Sequence, residues 1–376
     1  MSTNDATSIT RPPRPPKPPK PHPSITALAT FLSSLPQTDI VPPPLPSKLR
    51  YDIYGSLLLL PPTSPLTTEP WSTFISSLPA HSQSDLYTSL AAALGVTHIA
   101  INSPIPAKST EDGNTIRAPQ ITPLHGFFGD PNAKDFEEVY WTSTVQHGIF
   151  QTWCPLHTMF SRGNITEKSR IHDIVAKQLG GGKEGKVGAV DLFVGIGYFA
   201  FSYLKGGVDV VFGWDINRWS VEGCRRGAGG NKWGVSTDPR DGLKDERLVL
   251  FEESNEFAPG RLREIKRRME EDGRGWVHIM HVNLGLLPSS SCAYKTALEV
   301  LELNDEEKEA WVHVHENVAR EDVDEMEVSI IKKFGELAGE LGMVVEVGIE
   351  HVEFVKSWAP GVWHCVFDVR VLVLRR

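Results

Sequence analysis

The second half of the chain alternates short apolar runs with helical segments and then abruptly stops doing so. No other feature restricts the fold as tightly. Apolar runs at Val187–Val194, Asp209–Trp214, Leu248–Phe251, Val277–Asn283 and Trp311–Glu316 read as strands. Between and after them the spacing predicts helices over about Phe199–Lys205, Ser220–Gly227, Pro259–Glu271, Ala293–Leu301 and Asp322–Leu341. Such alternation gives a parallel sheet with helices on both faces. Two further strands then follow directly, Val344–Val355 and Val362–Leu374, joined only by Lys356–Gly361. So short a link cannot make a parallel crossover, and the last strand must run antiparallel to its neighbour.

The first of these strands ends in Asp191-Leu192-Phe193-Val194-Gly195-Ile196-Gly197-Tyr198-Phe199. Gly195 and Gly197 permit a tight turn and close backbone approach by a ligand, and the next helix presents free N–H groups. Taken alone the loop also satisfies the dinucleotide pattern G-x-G-x-x-A, so its context decides. Trp214-Asp215-Ile216-Asn217 closes the second strand and places a carboxylate 24 residues beyond Asp191. There Asp215 can accept from both hydroxyls of a ribose, or merely cap a helix. Ser254-Asn255 ends the third strand where such folds meet an adenine edge, or makes a plain turn. A parallel sheet closed by an antiparallel hairpin, with this loop, resembles the class I S-adenosylmethionine-dependent transferases.

Upstream the texture is different. Arg11–Pro23 repeats a basic residue followed by two prolines, which removes backbone donors and fixes φ, so an extended polyproline II tail is expected. Such a tail is free in solvent, or engages an SH3-type domain or RNA phosphates. From Ser24 to about Pro106, periodic segments (Ile25–Leu35, Ser84–Leu94) alternate with Pro-rich breaks and the apolar run Ser56–Leu60, the pattern of a small α/β module. Val139–Thr144 and Ile149–Trp153 flank Gln146-His147-Gly148 as a hairpin. The expected organisation of the 376 residues is a Pro-rich tail over 1–23, a small α/β domain over 24–157 and a catalytic domain over 158–376.

Composition narrows the function classes. No apolar run approaches the roughly 18 residues of a membrane span, and Pro and basic residues follow Met1 in place of an apolar signal core, so a cytoplasmic protein without a membrane partner is expected. Cys154, Cys224, Cys292 and Cys365 are too dispersed for a disulfide framework or a Cys-only zinc site, and are expected to be buried thiols. With 47 acidic against 38 basic residues the net charge is −9. A nucleic-acid partner would therefore need a local basic face.

The most specific text is Thr158-Met159-Phe160-Ser161-Arg162-Gly163-Asn164-Ile165-Thr166-Glu167-Lys168-Ser169-Arg170 ahead of the Asp191–Gly197 loop. Together the two blocks resemble the family that contains the tRNA guanine-37 N1-methyltransferases and the wybutosine-synthesising aminocarboxypropyl transferases. Similarity runs from about Leu45 to the C-terminus, including Ala93-Leu94-Gly95-Val96 and Arg117-Ala118-Pro119-Gln120. Asn283-Leu284-Gly285-Leu286-Leu287-Pro288 and Val312-His313-Val314-His315-Glu316-Asn317-Val318 resemble the wybutosine branch, whereas the methyltransferases have a shorter Asn-Leu-Pro at the first. Two departures stand out: the family's usual Gly-Asp-Asn is Glu253-Ser254-Asn255 here, and the second-strand acid is Asp215 rather than Glu.

The resemblance implies transfer of the 3-amino-3-carboxypropyl group of S-adenosylmethionine to C7 of 4-demethylwyosine at position 37 of phenylalanine tRNA. A tRNA (guanine-37-N1)-methyltransferase and a non-catalytic RNA module are the alternatives. It implies no metal, since a sulfonium is already an activated leaving group. It assigns cofactor binding to Ser161, Lys168, Gly195, Gly197, Asp215, Ser254 and Asn255, with Lys168 facing the cofactor carboxylate and a side chain at Gly197 intruding on the ligand. Arg162 and Asn283 are the candidate catalytic residues, Arg162 as a phosphate or base contact. His313 and His315 would share one face of a strand, as structural or substrate-contact groups rather than metal ligands. Six basic and four acidic residues over Arg261–Arg274 form a solvated helix or a phosphate-tracking face. Leu301–Ile330, with eleven acidic residues against two basic, should point away from tRNA.

Overall fold

In the computed structural model, which describes residues 22–36, 41–103, 120–182, 185–237 and 246–375, the described residues build sheets of four, two and eight strands. The first module comprises α1 (Pro23–Ser34), β1 (Asp52–Tyr54), β2 (Leu57–Leu60), α2 (Trp71–Ser77), α3 (Ala80–Leu94), β3 (His98–Ser103) and β4 (Gln120–His125). Its sheet runs β1-β2-β3-β4, with β2 and β3 parallel and the outer pairs antiparallel. Leu28 and Phe31 of α1, Trp71 and Phe74 of α2, and Leu86 and Leu90 of α3 pack with Leu58, Leu60 and Ile99 of the sheet into one core.

Pro23, which composition assigns to the tail, is instead the first residue of α1, where His22 accepts from the Ser24 amide through its ring. Proline suits that position because its missing N–H would be unpaired there in any case. Arg11–Pro21 and Arg117–Pro119 lie outside the described residues.

The hairpin consists of β5 (Thr142–Gln146) and β6 (Ile149–Trp153). Its first strand lies further along the chain than expected: His147 and Gly148 both take positive φ (50° and 68°). A two-residue turn of that kind closes the hairpin unaided, so Gln146 stays in the strand. Val139 is buried instead against Cys154 and Trp219.

The large sheet carries α4 (Ile165–Leu179), β7 (Val187–Asp191), α5 (Ala200–Gly206), β8 (Val210–Trp214), α6 (Arg218–Gly230), β9 (Val235–Ser236), β10 (Leu248–Phe251), α7 (Ala258–Glu271), β11 (His278–Leu284), α8 (Tyr294–Leu301), β12 (Glu309–Ala319), α9 (Val323–Glu340), β13 (Val344–Ala359) and β14 (Val362–Leu374). Strand order is β13-β14-β12-β11-β7-β8-β10-β9. All neighbours are parallel except β14, which runs antiparallel to both β12 and β13. Residues from α4, α5 and α6 fill one face and residues from α7, α8 and α9 the other. The chain reverses its direction of strand addition at β7, between β8 and β11, and in open α/β sheets the crevice at such a switch point is where ligands bind.

Two strand boundaries differ from expectation in ways that matter. β7 ends at Asp191 rather than Val194, because the chain must leave the sheet to form the glycine turn. β13 continues to Ala359, and Pro360-Gly361 alone makes the turn, with Gly361 at φ 77°. Lys356 therefore lies in a strand, paired with His364, and not in a link. Cys154, Cys224 and Cys365 are buried as expected, but Cys292 is exposed.

Candidate active site

The glycine loop is fixed from below by the strand ends around it. Val194 donates its amide to Trp214 O at 2.8 Å and Leu192 to Asn283 O at 3.1 Å, tying the loop to β8 and β11. Gly195 and Gly197 have φ of 53° and 88°, values that favour glycine. The reason Gly197 tolerates no side chain is internal: a Cβ there would lie 2.5 Å from the Phe201 ring, so the obstruction is the protein's own core and not a ligand.

Asp215 leaves the tip of β8 and turns its carboxylate onto the loop. Oδ2 accepts from the Gly195 amide at 2.9 Å and Oδ1 from the Asn217 amide at 2.7 Å. The N-cap of α6 is Asn217, accepting from Trp219, so Asp215 is not itself the cap. Burial pushes the Asp215 carboxyl up to about 6, against the two amides that favour its ionised form. Asn255 donates from Nδ2 to Leu192 O at 2.9 Å and so reaches the start of the loop. Ser254 caps the short turn that follows β10.

At the switch point Asn283 donates to Asp191 Oδ1 at 3.0 Å. Both residues are fully buried, and burial pushes the Asp191 carboxyl up to about 7. Asn283 Oδ1 has no partner within the protein. A buried acceptor left open beside a ligand crevice invites a donor from outside the protein, because leaving it unmade costs about 1–3 kcal/mol.

The block around Ser161 approaches the loop through Tyr198. The Tyr198 hydroxyl donates to Met159 O and accepts from the Ser161 amide at 3.1 Å. Ser161 precedes a short 3₁₀ turn and α4. Lys168 is not on the helix surface; it is buried, with Nζ donating to Gln146 Oε1 at 2.6 Å and Gln151 Oε1 at 3.0 Å. It lies over the Phe160 and Tyr198 rings, 5.3 and 5.6 Å from their centroids. Burial pushes its ammonium down to about 8. It lines a cavity of about 250 Å³ between the β5–β6 hairpin and α4. Arg162 points the other way, exposed at the cleft with the first module, and pairs there with Asp52 of β1. The structure thus brings Gly195, Gly197, Asp215, Asn255 and Asn283 together, attaches Ser161 through Tyr198, and sets Lys168 and Arg162 to either side.

His313 and His315 belong to a buried polar seam. Arg170 on α4 holds Glu167 through Nε at 2.7 Å and Asp368 of β14 through both Nη atoms. His313 Nδ1 meets Asp368 Oδ1 at 2.7 Å, His281 and His313 share a hydrogen bond at 3.1 Å, and His315 and His364 share one at 2.9 Å. Burial holds His281 and His315 far below the ordinary imidazole range, hence neutral. No cluster of three or more His, Cys, Asp or Glu suited to a metal occurs among the described residues. Sequence inspection missed Arg170, Asp368, His364, Tyr198 and Gln151. Of these, Tyr198 stands next to Gly197 and Arg170 closes the motif block, and the other three carry no local signal.

On α7 four of the five basic residues have acidic neighbours: Arg261 with Glu253, Lys266 with Asp305, Arg267 with Glu271 and Arg268 with Glu264. Glu316, within the acidic stretch, is buried, accepting from Ser289, Ser290 and Tyr294. No helix among the described residues is long and apolar enough to cross a membrane.

A parallel sheet closed by an antiparallel hairpin, with a glycine loop and strand-end acids at its switch point, is the architecture of the class I S-adenosylmethionine-dependent transferases. The solved structure of Pyrococcus horikoshii TYW2 in complex with MeSAdo shares this fold, with a TM-score of 0.58 at 18% identity over 93% of this chain and 99% of that one. No family model matches the chain. The tRNA wybutosine-synthesizing protein 2 of Schizosaccharomyces pombe is 34% identical over 362 residues, covering 91% of this chain and 77% of the relative. That of Saccharomyces cerevisiae is 32% identical over 306 residues, covering 74% and 60%. The chain belongs to the tRNA wybutosine-synthesizing protein 2 family.

Proposed function

We propose that this chain is an S-adenosylmethionine-dependent transferase of wybutosine synthesis, moving the 3-amino-3-carboxypropyl group to C7 of 4-demethylwyosine at position 37 of phenylalanine tRNA. What carries the reading is a complete switch-point site in a chain related over nine-tenths of its length to the fission-yeast protein. The residues present fit the donor. Asp215 is held by two backbone amides with a carboxylate edge left for ribose hydroxyls, Asn255 and Ser254 lie at the adenine end, and the buried Asn283 Oδ1 is open.

S-adenosylmethionine, when bound, supplies a sulfonium whose γ-carbon can be attacked. The C7 electron pair forms the new C–C bond, the S–C pair returns to sulfur as methylthioadenosine, and the C7 proton leaves to solvent. The protein's contribution is alignment, because holding the nucleophile in line replaces a bimolecular encounter. Gly195, Gly197 and Asp215 fix the adenosyl end. Ser161 marks the amino-acid end, Lys168 lies to one side of it with its ammonium held by Gln146 and Gln151, and Asn283 offers an acceptor. Arg162, exposed at the cleft mouth, contacts tRNA once released from Asp52. The domain division at about residue 157 follows from the same reading: the hairpin ends at Trp153 and the motif block begins at Thr158.

Chromatography of the spent cofactor, after incubation with tRNA carrying the tricyclic base, tests the assignment. Methylthioadenosine as the stoichiometric product is expected. S-adenosylhomocysteine would replace the reading with a tRNA (guanine-37-N1)-methyltransferase.

A further inference from the structure

The continuation of β13 to Ala359 brings a second cation to Ser161. Lys356 runs its stem across Gly163, where an added Cβ would lie 2.8 Å from Lys356 Cδ. Its Nζ donates to Ser161 Oγ at 3.2 Å. Ser161 in turn donates its amide to Tyr198, whose ring lies 3.2 Å from the position of a Cβ on Gly195. Two side-chain contacts therefore connect the ammonium on the penultimate strand to the glycine loop.

Lys356 has no ion-pair partner among the described residues, and burial lowers its ammonium. Its neighbours do not compensate it. Ser161 is neutral, and His364 across the strand is also neutral, since burial and then Lys356 itself push that imidazole down to about 4. Lys356 is half-buried, and holding a charge partly out of water without a partner is costly. An anion at Ser161 would remove that cost. Lys168 is placed differently: its ammonium already serves two carboxamide oxygens, on the side of Phe160 and Tyr198 that faces the hairpin cavity.

We propose that Lys356, together with Ser161, grips the carboxylate of the cofactor's amino-acid arm and so sets which carbon of the sulfonium faces the nucleophile. This rests on the reading of S-adenosylmethionine as donor. Lys356 is a positioning residue that touches the cofactor at the end remote from the adenine, and Lys168 supports the same region from behind the two rings. The arm is thereby held from the hairpin edge of the sheet, opposite the strands that hold the adenosine.

Calorimetry on the full chain with two ligands, S-adenosylmethionine and methylthioadenosine, tests this, because the second lacks the arm. Lys356→Met should weaken S-adenosylmethionine by about 10- to 100-fold, the span of a charge-assisted hydrogen bond. It should leave methylthioadenosine unchanged, which also shows that the variant folds. Lys356→Arg should recover part of the loss. The proposal is overturned if Lys356→Met binds both ligands as wild type does while Lys168→Met loses the arm's contribution. Equal loss of both ligands would overturn it too, as a purely structural effect. Wild-type protein binding neither ligand would instead sink the donor reading on which the proposal stands.

Discussion

The two halves of the large sheet use opposite materials. In β7, β8 and β10 every residue but Asp191 is apolar or glycine and all are buried, and polar groups appear only where the strands end. In β11, β12 and β14 a polar seam runs through an otherwise apolar interior: His281, His313, His315, His364 and Asp368 are all buried. The first half places its polar groups at the strand tips, beside the switch-point crevice. The second spends buried charge on holding the helix that follows Ser161 and Arg162 against the antiparallel edge. One half is thus organised for binding and the other for the exact placement of what binds.

The most damaging way to break this contrast is Arg170→Met. It leaves the carboxylates of Glu167 and Asp368 buried with one cation fewer, and removing one partner of a buried pair destabilises by about 3–5 kcal/mol. Denaturant unfolding should show that loss in the midpoint without a change of slope. If Arg170→Met is as stable as wild type, the polar seam does not anchor α4.

Acid separates the halves by sign. Burial raises the Asp191 and Asp215 carboxyls to about 7 and about 6. Their unfolded counterparts titrate near 4, so between these values the folded state binds more protons. Stability from this pair is complete below about pH 4 and is lost as pH rises through 6 and 7. Asp368 behaves oppositely. Burial would raise it, but His313 and Arg170 hold it well below the usual carboxylate range. Its contribution is present above about pH 4 and is lost only on further acidification. At about 1.4 kcal/mol for each step of one in pKa, Asp191→Asn should flatten the fall in stability between pH 4 and 7 by a few kcal/mol at most. Urea midpoints across that range check it, and an unchanged slope in Asp191→Asn would mean that the carboxyl is not buried as described.

For binding, Asp215→Ala removes the acceptor proposed for both ribose hydroxyls and should cost about 1.5–3 kcal/mol of S-adenosylmethionine affinity. Wild-type affinity should also fall as pH drops below about 6, where Asp215 takes up its proton. Calorimetry at pH 5 and pH 8 reads both effects. Equal affinity of Asp215→Ala and wild type at pH 8 would remove the ribose assignment.

The same contrast explains what could be read from the sequence. The cofactor half was legible because its signals are local: a glycine turn directly after a strand, an acid at the next strand end, an Asn after the third. The sheet's antiparallel close was legible from one short link. The seam and the Lys356 contact were not, because Arg170 meets Asp368 across 198 residues and Lys356 meets Ser161 across 195. Neither pair has a spacing that a helix or strand period would reveal. Even His313-x-His315, visible as a pair on one strand face, gave no hint that each imidazole would find a different histidine partner. Lys356 was hidden by a boundary error: counted in a turn, it had no face, whereas in a strand it must point to one side.

The smallest expected effect concerns α7, the one strongly basic stretch outside the tail. Arg267 and Arg268 face carboxylates one turn away on the same helix, Glu271 and Glu264, and neither lines the cleft that holds Arg162. Charge reversal of both, Arg267→Glu with Arg268→Glu, should change tRNA affinity by less than about 0.5 kcal/mol. It should leave the slope of log affinity against log salt as it was, since that slope counts the phosphates neutralised. Arg162→Ala should instead lower the slope by about one, because Arg162 stands exposed at the cleft beside the motif block, the face on which the proposed function brings in tRNA. A large loss of affinity and slope in the α7 double variant, with none in Arg162→Ala, would move the tRNA face from the cleft to α7 and with it the approach of the anticodon loop to the switch-point site.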